Sequence, residues 1–385
     1  MNDKTVDKTK MPVRMKLLMP ILKMLRFPEM PDKPRKGKFY RISLPEQVSA
    51  NGDVTHGSIR IGTENKVIVM FHGGGVSWNT YMAARPMSAY QESEEQNFYA
   101  SDSEFVADIA TGMGIAGKKK ENPFHDWSVI CIIYNTGDFH VGQNDFPYTN
   151  LNGETAVLHH HGYINYRAVM KEALKWIGNE PEQLLVTGFS AGGFGTALLT
   201  EDVMSFFPKC REVICYPDSC LMLYDGWREA ADKVWGAPRE IYDDIRTDNI
   251  TLDSLVALKK RHGQKVKILF SCSVRDVELS KFINYVDGGR LFVDRDTGKR
   301  FQEELKEMCE KLQEQIEDVG IYLFDEPVGG RGMERLREQG FTAHCIGLSP
   351  AAERIRVEGK TVVEWVWEAF HGKTGRIGLG FLEKE

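Results

Sequence analysis

Ser190 stands between Gly188 and Gly192 in residues 184–195, LLVTGFSAGGFG, a spacing in which a serine hydroxyl can become a nucleophile. A chain that turns sharply from strand to helix at the serine strains that residue's backbone. It also brings neighbouring main chain too close for a β-carbon two residues before or after. The hydroxyl is then held out above the end of the strand. G-x-S-x-G also arises by chance, so context decides: this copy follows the apolar LLVT and precedes the helix-capable TALLTEDVMSFF. A glycine-rich turn with a spectator serine is the plainer alternative.

Such a serine needs donors for the oxyanion that forms on an attacked carbonyl, and a base held in the right tautomer by a carboxylate. Residues 72–75, HGGG, directly follow the fully apolar KVIVMF, and a glycine run at the end of a central strand lets consecutive N–H groups face a ligand. A phosphate cradle is the rival for these glycines, but the P-loop lysine and Ser/Thr are absent and no G-x-G-x-x-G spacing occurs. His72 is read as a support of that loop. Downstream, KVKILF is the next apolar strand, and the loop SCSVRDVELS after it carries Asp276. A helix over 303–316, the strand GIYLF and residues 341–346 follow, the last supplying His344. That order, nucleophile then acid then histidine, is the order such hydrolases use. Asp325 and Glu278 compete as the acid, His371 and His262 as the base.

The elements that must position these groups predict an α/β fold: an α/β-hydrolase-like, doubly wound, mostly parallel sheet with helical cap insertions. FYRISLP, GSIRIG, KVIVMF, WSVICIIY, the elbow strand, residues 212–215, KVKILF and GIYLF are its strands, and residues 163–177 show helical spacing before the elbow. Residues 1–38 read as an N-terminal extension whose stretch 12–30 forms an amphipathic helix, and residues 39–385 as the hydrolase domain. Insertions are expected at about 81–122 and 221–263. The tryptophans and tyrosines of the second insertion read as core of a cap. His159, His160 and His161 invite a metal, but neighbouring side chains on a strand alternate faces, so three in a row do not converge and no metal or other cofactor is expected.

A net charge of −6 and a pI near 6.0 leave no basic footprint for nucleic acid. Arg14, Lys16, Lys23 and Arg26 interrupt the apolar N-terminal stretch, which therefore reads neither as a signal peptide nor as a membrane span. Seven cysteines at irregular spacings form no metal pattern or disulfide framework, so reduced thiols and cytoplasmic residence are expected.

Taken together, FHGGGVSWNT, NPFHDWSVICIIYNTGDFHVG, GFSAGG, CYPDSC and TAHCI resemble the pectin acetylesterases and their animal relatives, the Notum-type carboxylesterases, over about residues 39–346. The resemblance implies a Ser/Asp/His triad at Ser190, Asp276 and His344, with oxyanion donors at Gly74, Gly75 and Ala191. Asn135 and Thr136 stand where the family has Cys-Asp, Ser77 stands near its Trp-Cys position, and Phe341 replaces a cysteine that would pair with Cys345. The disulfides of the secreted members are thus not expected, and pectin does not follow as the substrate. The expected activity is hydrolysis of a small-molecule or glycan carboxylic ester through an acyl-serine. A lipase or peptidase on the same scaffold is the nearest rival, and a non-catalytic glycan- or lipid-binding protein of the same fold the rival of another class.

Overall fold

The computed structural model describes residues 20, 24–88, 96–102, 108 and 111–384. Most of the N-terminal stretch 12–30, and most of the acidic loop within 90–97, lie outside the described residues.

Nine strands form one sheet: β1 (Phe39–Val48), β2 (Val54–Arg60), β3 (Lys66–Phe71), β4 (Ser128–Ile132), β5 (Gln183–Phe189), β6 (Glu212–Asp218), β7 (Val266–Ser273), β8 (Gly320–Phe324) and β9 (Arg376–Ile377). Their order across the sheet is β1-β2-β4-β3-β5-β6-β7-β8-β9. β2 runs antiparallel to both of its neighbours, and every other pairing is parallel. The mostly parallel, doubly wound sheet expected from the apolar runs is therefore present. GIYLF is not the last strand, as the sequence reading had it: the two-residue β9 pairs outside it at the edge, too short to leave a periodic signature.

Alternation along the central strands feeds two cores. Val67, Val69 and Phe71 of β3, with Leu184 and Val186 of β5, pack on one face. The residues between them, Ile68, Met70 and Leu185, pack on the other. That is why these strands read as unbroken apolar runs. The first face is covered by α1 (Gly162–Ile177), α2 (Ala191–Phe206), α3 (Ile250–His262), α4 (Val277–Gly288) and α5 (Arg295–Gln315), and the second chiefly by α6 (Val362–Phe370) with Phe124 and Trp127. α5 begins eight residues earlier than the helix read from the sequence. Asp294 and Thr297 close a capping box there that offsets Gly298 in the second turn.

Residues 221–263 are largely helical, and Trp227 and Trp235 are fully buried there, the first tilted and the second edge-on against Phe139, which stacks on Phe194; the two tryptophans are core, as expected. No described helix is long and apolar enough to cross a membrane.

Because β3, β5, β6 and β7 are consecutive and parallel, their carboxyl ends stand side by side about 4.8 Å apart. The glycine loop, Ser190, Asp218 and Asp276 leave the sheet there one after another.

Candidate active site

Ser190 is the hinge between β5 and α2, with φ 55° and ψ −127°. A β-branch-free serine tolerates that left-handed backbone at a cost of order 1–3 kcal/mol, which the packed strand and helix on either side must hold in place. The fencing glycines are required by close approach. A β-carbon on Gly188 would lie 2.3 Å from the Gly192 carbonyl oxygen, and one on Gly192 would lie 2.0 Å from that of Phe71. The Ser190 N–H donates to the Asp218 carbonyl (2.9 Å), and the Ser190 carbonyl accepts from Gly193 N–H (2.8 Å).

The glycine loop touches the same residue. A β-carbon on Gly73 would lie 2.7 Å from the Ser190 Cβ, so the loop after β3 lies directly beside the serine. Gly75 has φ 76°, and its carbonyl accepts from the Tyr134 hydroxyl (2.8 Å); the Gly74 carbonyl accepts from Ala100 N–H (2.7 Å). The N–H groups of Gly74, Gly75 and Ala191 have no acceptor among the described residues. His72 supports the loop, as read from its position: its Nε2 meets Thr111 Oγ1 (2.9 Å) and its carbonyl meets His140 Nε2 (2.8 Å). Burial pushes the two imidazoles down to about 4 and about 3, so both stay neutral near pH 7.

Asp276 is wholly buried at the N-terminus of α4. Its Oδ1 accepts from the N–H groups of Glu278 and Leu279 (3.0 Å each), and its Oδ2 accepts from His344 Nδ1 (2.7 Å). A carboxylate cannot donate, so the proton in that last bond sits on Nδ1 and the neutral ring presents its lone pair at Nε2. Nε2 is buried without a hydrogen-bond partner among the described residues. Burial opposes charge on His344, but the adjoining Asp276 carboxylate, helped by the charges of Glu278 and Asp218, outweighs it and holds the imidazole above its ordinary value. The histidine loop is laced to the acid's loop: Thr342 N–H donates to the Arg275 carbonyl (3.0 Å), Val277 N–H to that of Thr342 (3.2 Å), and Ser273 Oγ meets Thr342 Oγ1.

The competing ionisable groups have other partners. Asp325 pairs with Lys384 (2.7 Å), Glu278 with Lys281 (2.7 Å) and His262 with Glu201 (2.8 Å), while His371 Nδ1 meets the Trp367 carbonyl (2.9 Å). Asp218 carries a part that the sequence reading quoted in CYPDSC without assigning. Its buried Oδ2 accepts from Ile346 N–H (2.9 Å) and Gly347 N–H (2.8 Å), and its Oδ1 from Ser271 Oγ (2.7 Å). Since its own carbonyl accepts from Ser190, one residue fixes both the serine hinge and the loop carrying His344. The available signal was an aspartate ending a strand beside the elbow strand.

The three histidines part as strand alternation requires. His160 is buried against the Thr136 carbonyl, whereas His159 and His161 share the other face. The run of three does not converge, but the cross-strand Asp145 joins His159 and His161, bringing three ligand atoms within 4.8 Å of one another. A cavity of about 760 Å³ between α3 and α5, bordered by Arg246, Lys260 and Glu304, includes none of Ser190, Asp276 and His344.

Residues 56–237, from β2 through the glycine loop and the elbow into the cap, match the pectinacetylesterase family model. The structure of the Wnt deacylase Notum from Drosophila is similar over 89% of this chain and 95% of that one, with a TM-score of 0.58 at 15% identity. The family match agrees with the resemblance carried by the glycine loop and the elbow and supports a carboxylic ester hydrolase, and the strand order agrees with the fold of the neighbour.

Proposed function

We propose that the chain hydrolyses acyl esters of sugars or other small alcohols, acetyl esters first among them, by acylation of Ser190. His344 Nε2 takes the hydroxyl proton as the serine oxygen attacks the carbonyl carbon. Asp276 keeps the proton of Nδ1 in place and steadies the imidazolium that forms. The N–H groups of Gly74, Gly75 and Ala191 receive the negative oxygen of the tetrahedral intermediate. Its collapse expels the alcohol, which takes the proton from His344. Water then attacks the acyl-serine with Nε2 again as base, releasing the acid and restoring Ser190. The observation that carries this reading is the buried, partnerless Nε2 of a histidine whose other nitrogen is committed to Asp276.

A panel of p-nitrophenyl esters from acetyl to palmitoyl, run beside acetylated sugars and an acylated peptide, tests it. The acylated peptide is included because the Drosophila neighbour is a Wnt deacylase. Highest kcat/KM on short acyl chains supports the proposal. A preference for palmitoyl esters favours a lipase-like or protein-deacylating enzyme, and no turnover of any ester removes the catalytic reading.

A further inference from the structure

We infer that Asp145, His159 and His161 form a binding site for one divalent transition-metal ion of zinc type, on the hairpin between β4 and α1 and apart from the ester-hydrolysing residues. The hairpin pairs residues 144–149 with 155–160 in antiparallel register, and Asp145 stands directly across from His159. One residue beyond the strand, His161 returns to the face of His159 because side chains two apart share a face. Asp145 Oδ1 thus meets His159 Nδ1 at 2.6 Å and His161 Nε2 at 2.9 Å, with the two rings 5.2 Å apart.

Two imidazoles and one carboxylate are ligands that zinc accepts, with metal–ligand bonds of about 2.0–2.2 Å. A tetrahedral ion at that distance needs its ligand atoms about 3.3 Å from each other, so Asp145 Oδ1 must draw back from His159 Nδ1 and His161 Nε2, now at 2.6 Å and 2.9 Å, by less than about 1 Å. The most exposed of them, Asp145, is free to do so, with 58% of its side chain in solvent.

Bound there, the ion would clip the two hairpin strands to the first residue of the α1 turn. His161 is the N-cap of that helix and makes no side-chain capping bond. The hairpin in turn holds the cap: Gln143 N–H donates to the Trp235 carbonyl (2.7 Å), and the Trp235 indole donates to the Ser77 carbonyl (2.8 Å) in the segment following the glycine loop. The expected consequence is a more stable cap.

Untagged, EDTA-treated protein titrated with Co²⁺ and with Zn²⁺ tests the site. One equivalent should bind with a visible d–d band displaced by zinc, and the melting temperature should rise with metal. Asp145→Asn should weaken binding at least about tenfold and the double change His159→Gln/His161→Gln about a hundredfold or more. His125→Gln, which touches the other surface His–Asp pair (2.9 Å), should leave binding unchanged. Should a variant fold poorly by circular dichroism, Zn²⁺ protection of His159 and His161 from diethyl pyrocarbonate in the unaltered protein replaces it. Absence of a Co²⁺ band, unchanged affinity in the folded double variant, equal loss in His125→Gln, or no protection overturns the inference.

Discussion

Replacing Asp276 by Asn alters one proton and leaves nearly everything else. The amide oxygen can still accept from the N–H groups of Glu278 and Leu279, and Asn caps a helix about as well as Asp. The amide nitrogen then faces His344 Nδ1, and because it is a donor, Nδ1 must become the acceptor. The ring proton moves to Nε2, the atom that has to receive the serine proton. Loss of the correct tautomer lowers kcat by roughly 10³ to 10⁴-fold, about 4–5.5 kcal/mol at 1.36 kcal/mol per decade, with little change in KM. The exchange of a charged hydrogen bond for a neutral one costs stability of only about 1.5–3 kcal/mol, a melting shift of a few degrees. A second readout separates this from general damage. Burial is the largest influence on His344 and is opposed chiefly by Asp276, so without the carboxylate the histidine's pKa falls and the acid limb of the residual activity moves to lower pH. Asp325→Asn breaks only a half-exposed pair with Lys384 and should change kcat less than twofold. The assay is steady-state hydrolysis of p-nitrophenyl acetate over a pH series, with thermal melts. More than a tenth of the parent kcat in Asp276→Asn, or a larger loss in Asp325→Asn, refutes the assignment of the acid.

Ser190→Ala should abolish turnover, by on the order of 10⁴-fold or more, while circular dichroism and melting stay near those of the parent; retained turnover removes Ser190 as the nucleophile. In the unaltered enzyme kcat/KM should rise with pH through a midpoint above 6.5, because the base must be neutral and Asp276 favours its charged form; an acid limb centred well below 6.5 contradicts that coupling. Gly192→Ala should fail to accumulate as soluble protein, since its β-carbon would sit 2.0 Å from the Phe71 carbonyl oxygen, and a normally stable variant would mean the elbow is shaped otherwise. Thiol titration of denatured protein without reductant should count close to seven, as befits the proposed reducing compartment, whereas two or more bridges by mass analysis would refute it.

The sequence discloses what periodicity and local spacing encode. KVIVMF, WSVICIIY and GIYLF are buried on both faces, so their unbroken apolar runs mark sheet strands directly. Gly188, Ser190 and Gly192 are legible because a strand-to-helix turn this sharp excludes β-carbons at fixed positions on either side of the serine. β9 and the early start of α5 escaped because two residues carry no period and because Thr297-Gly298 reads as a turn until the Asp294 capping box is seen. Asp145 escaped for a different reason, since its partnership with His159 exists only through the register of two strands that the run of three histidines does not reveal.

Asp218 is the case where position along the chain conceals most. Its carboxylate binds the main chain of residues 128 and 129 positions later, while its carbonyl binds the serine hinge. No local pattern signals a group that connects two loops. Its consequence is testable because the two attachments are different atoms: Asp218→Ala keeps the carbonyl bond to Ser190 N–H and removes only the carboxylate. Two buried N–H groups, at Ile346 and Gly347, then lose their acceptor at about 1–3 kcal/mol each. The loop carrying His344 loses its anchor while the Asp276 bond to Nδ1 remains available. The tautomer should therefore survive, and because the Asp218 charge contributes less than Asp276 to holding His344 up, the pH midpoint should fall by less than in Asp276→Asn, while kcat falls about ten- to a hundredfold through misplacement of Nε2. A pH midpoint displaced as far as that of Asp276→Asn would mean that Asp218 acts mainly through its charge. An unchanged kcat would mean that the lacing through Thr342 alone positions the base.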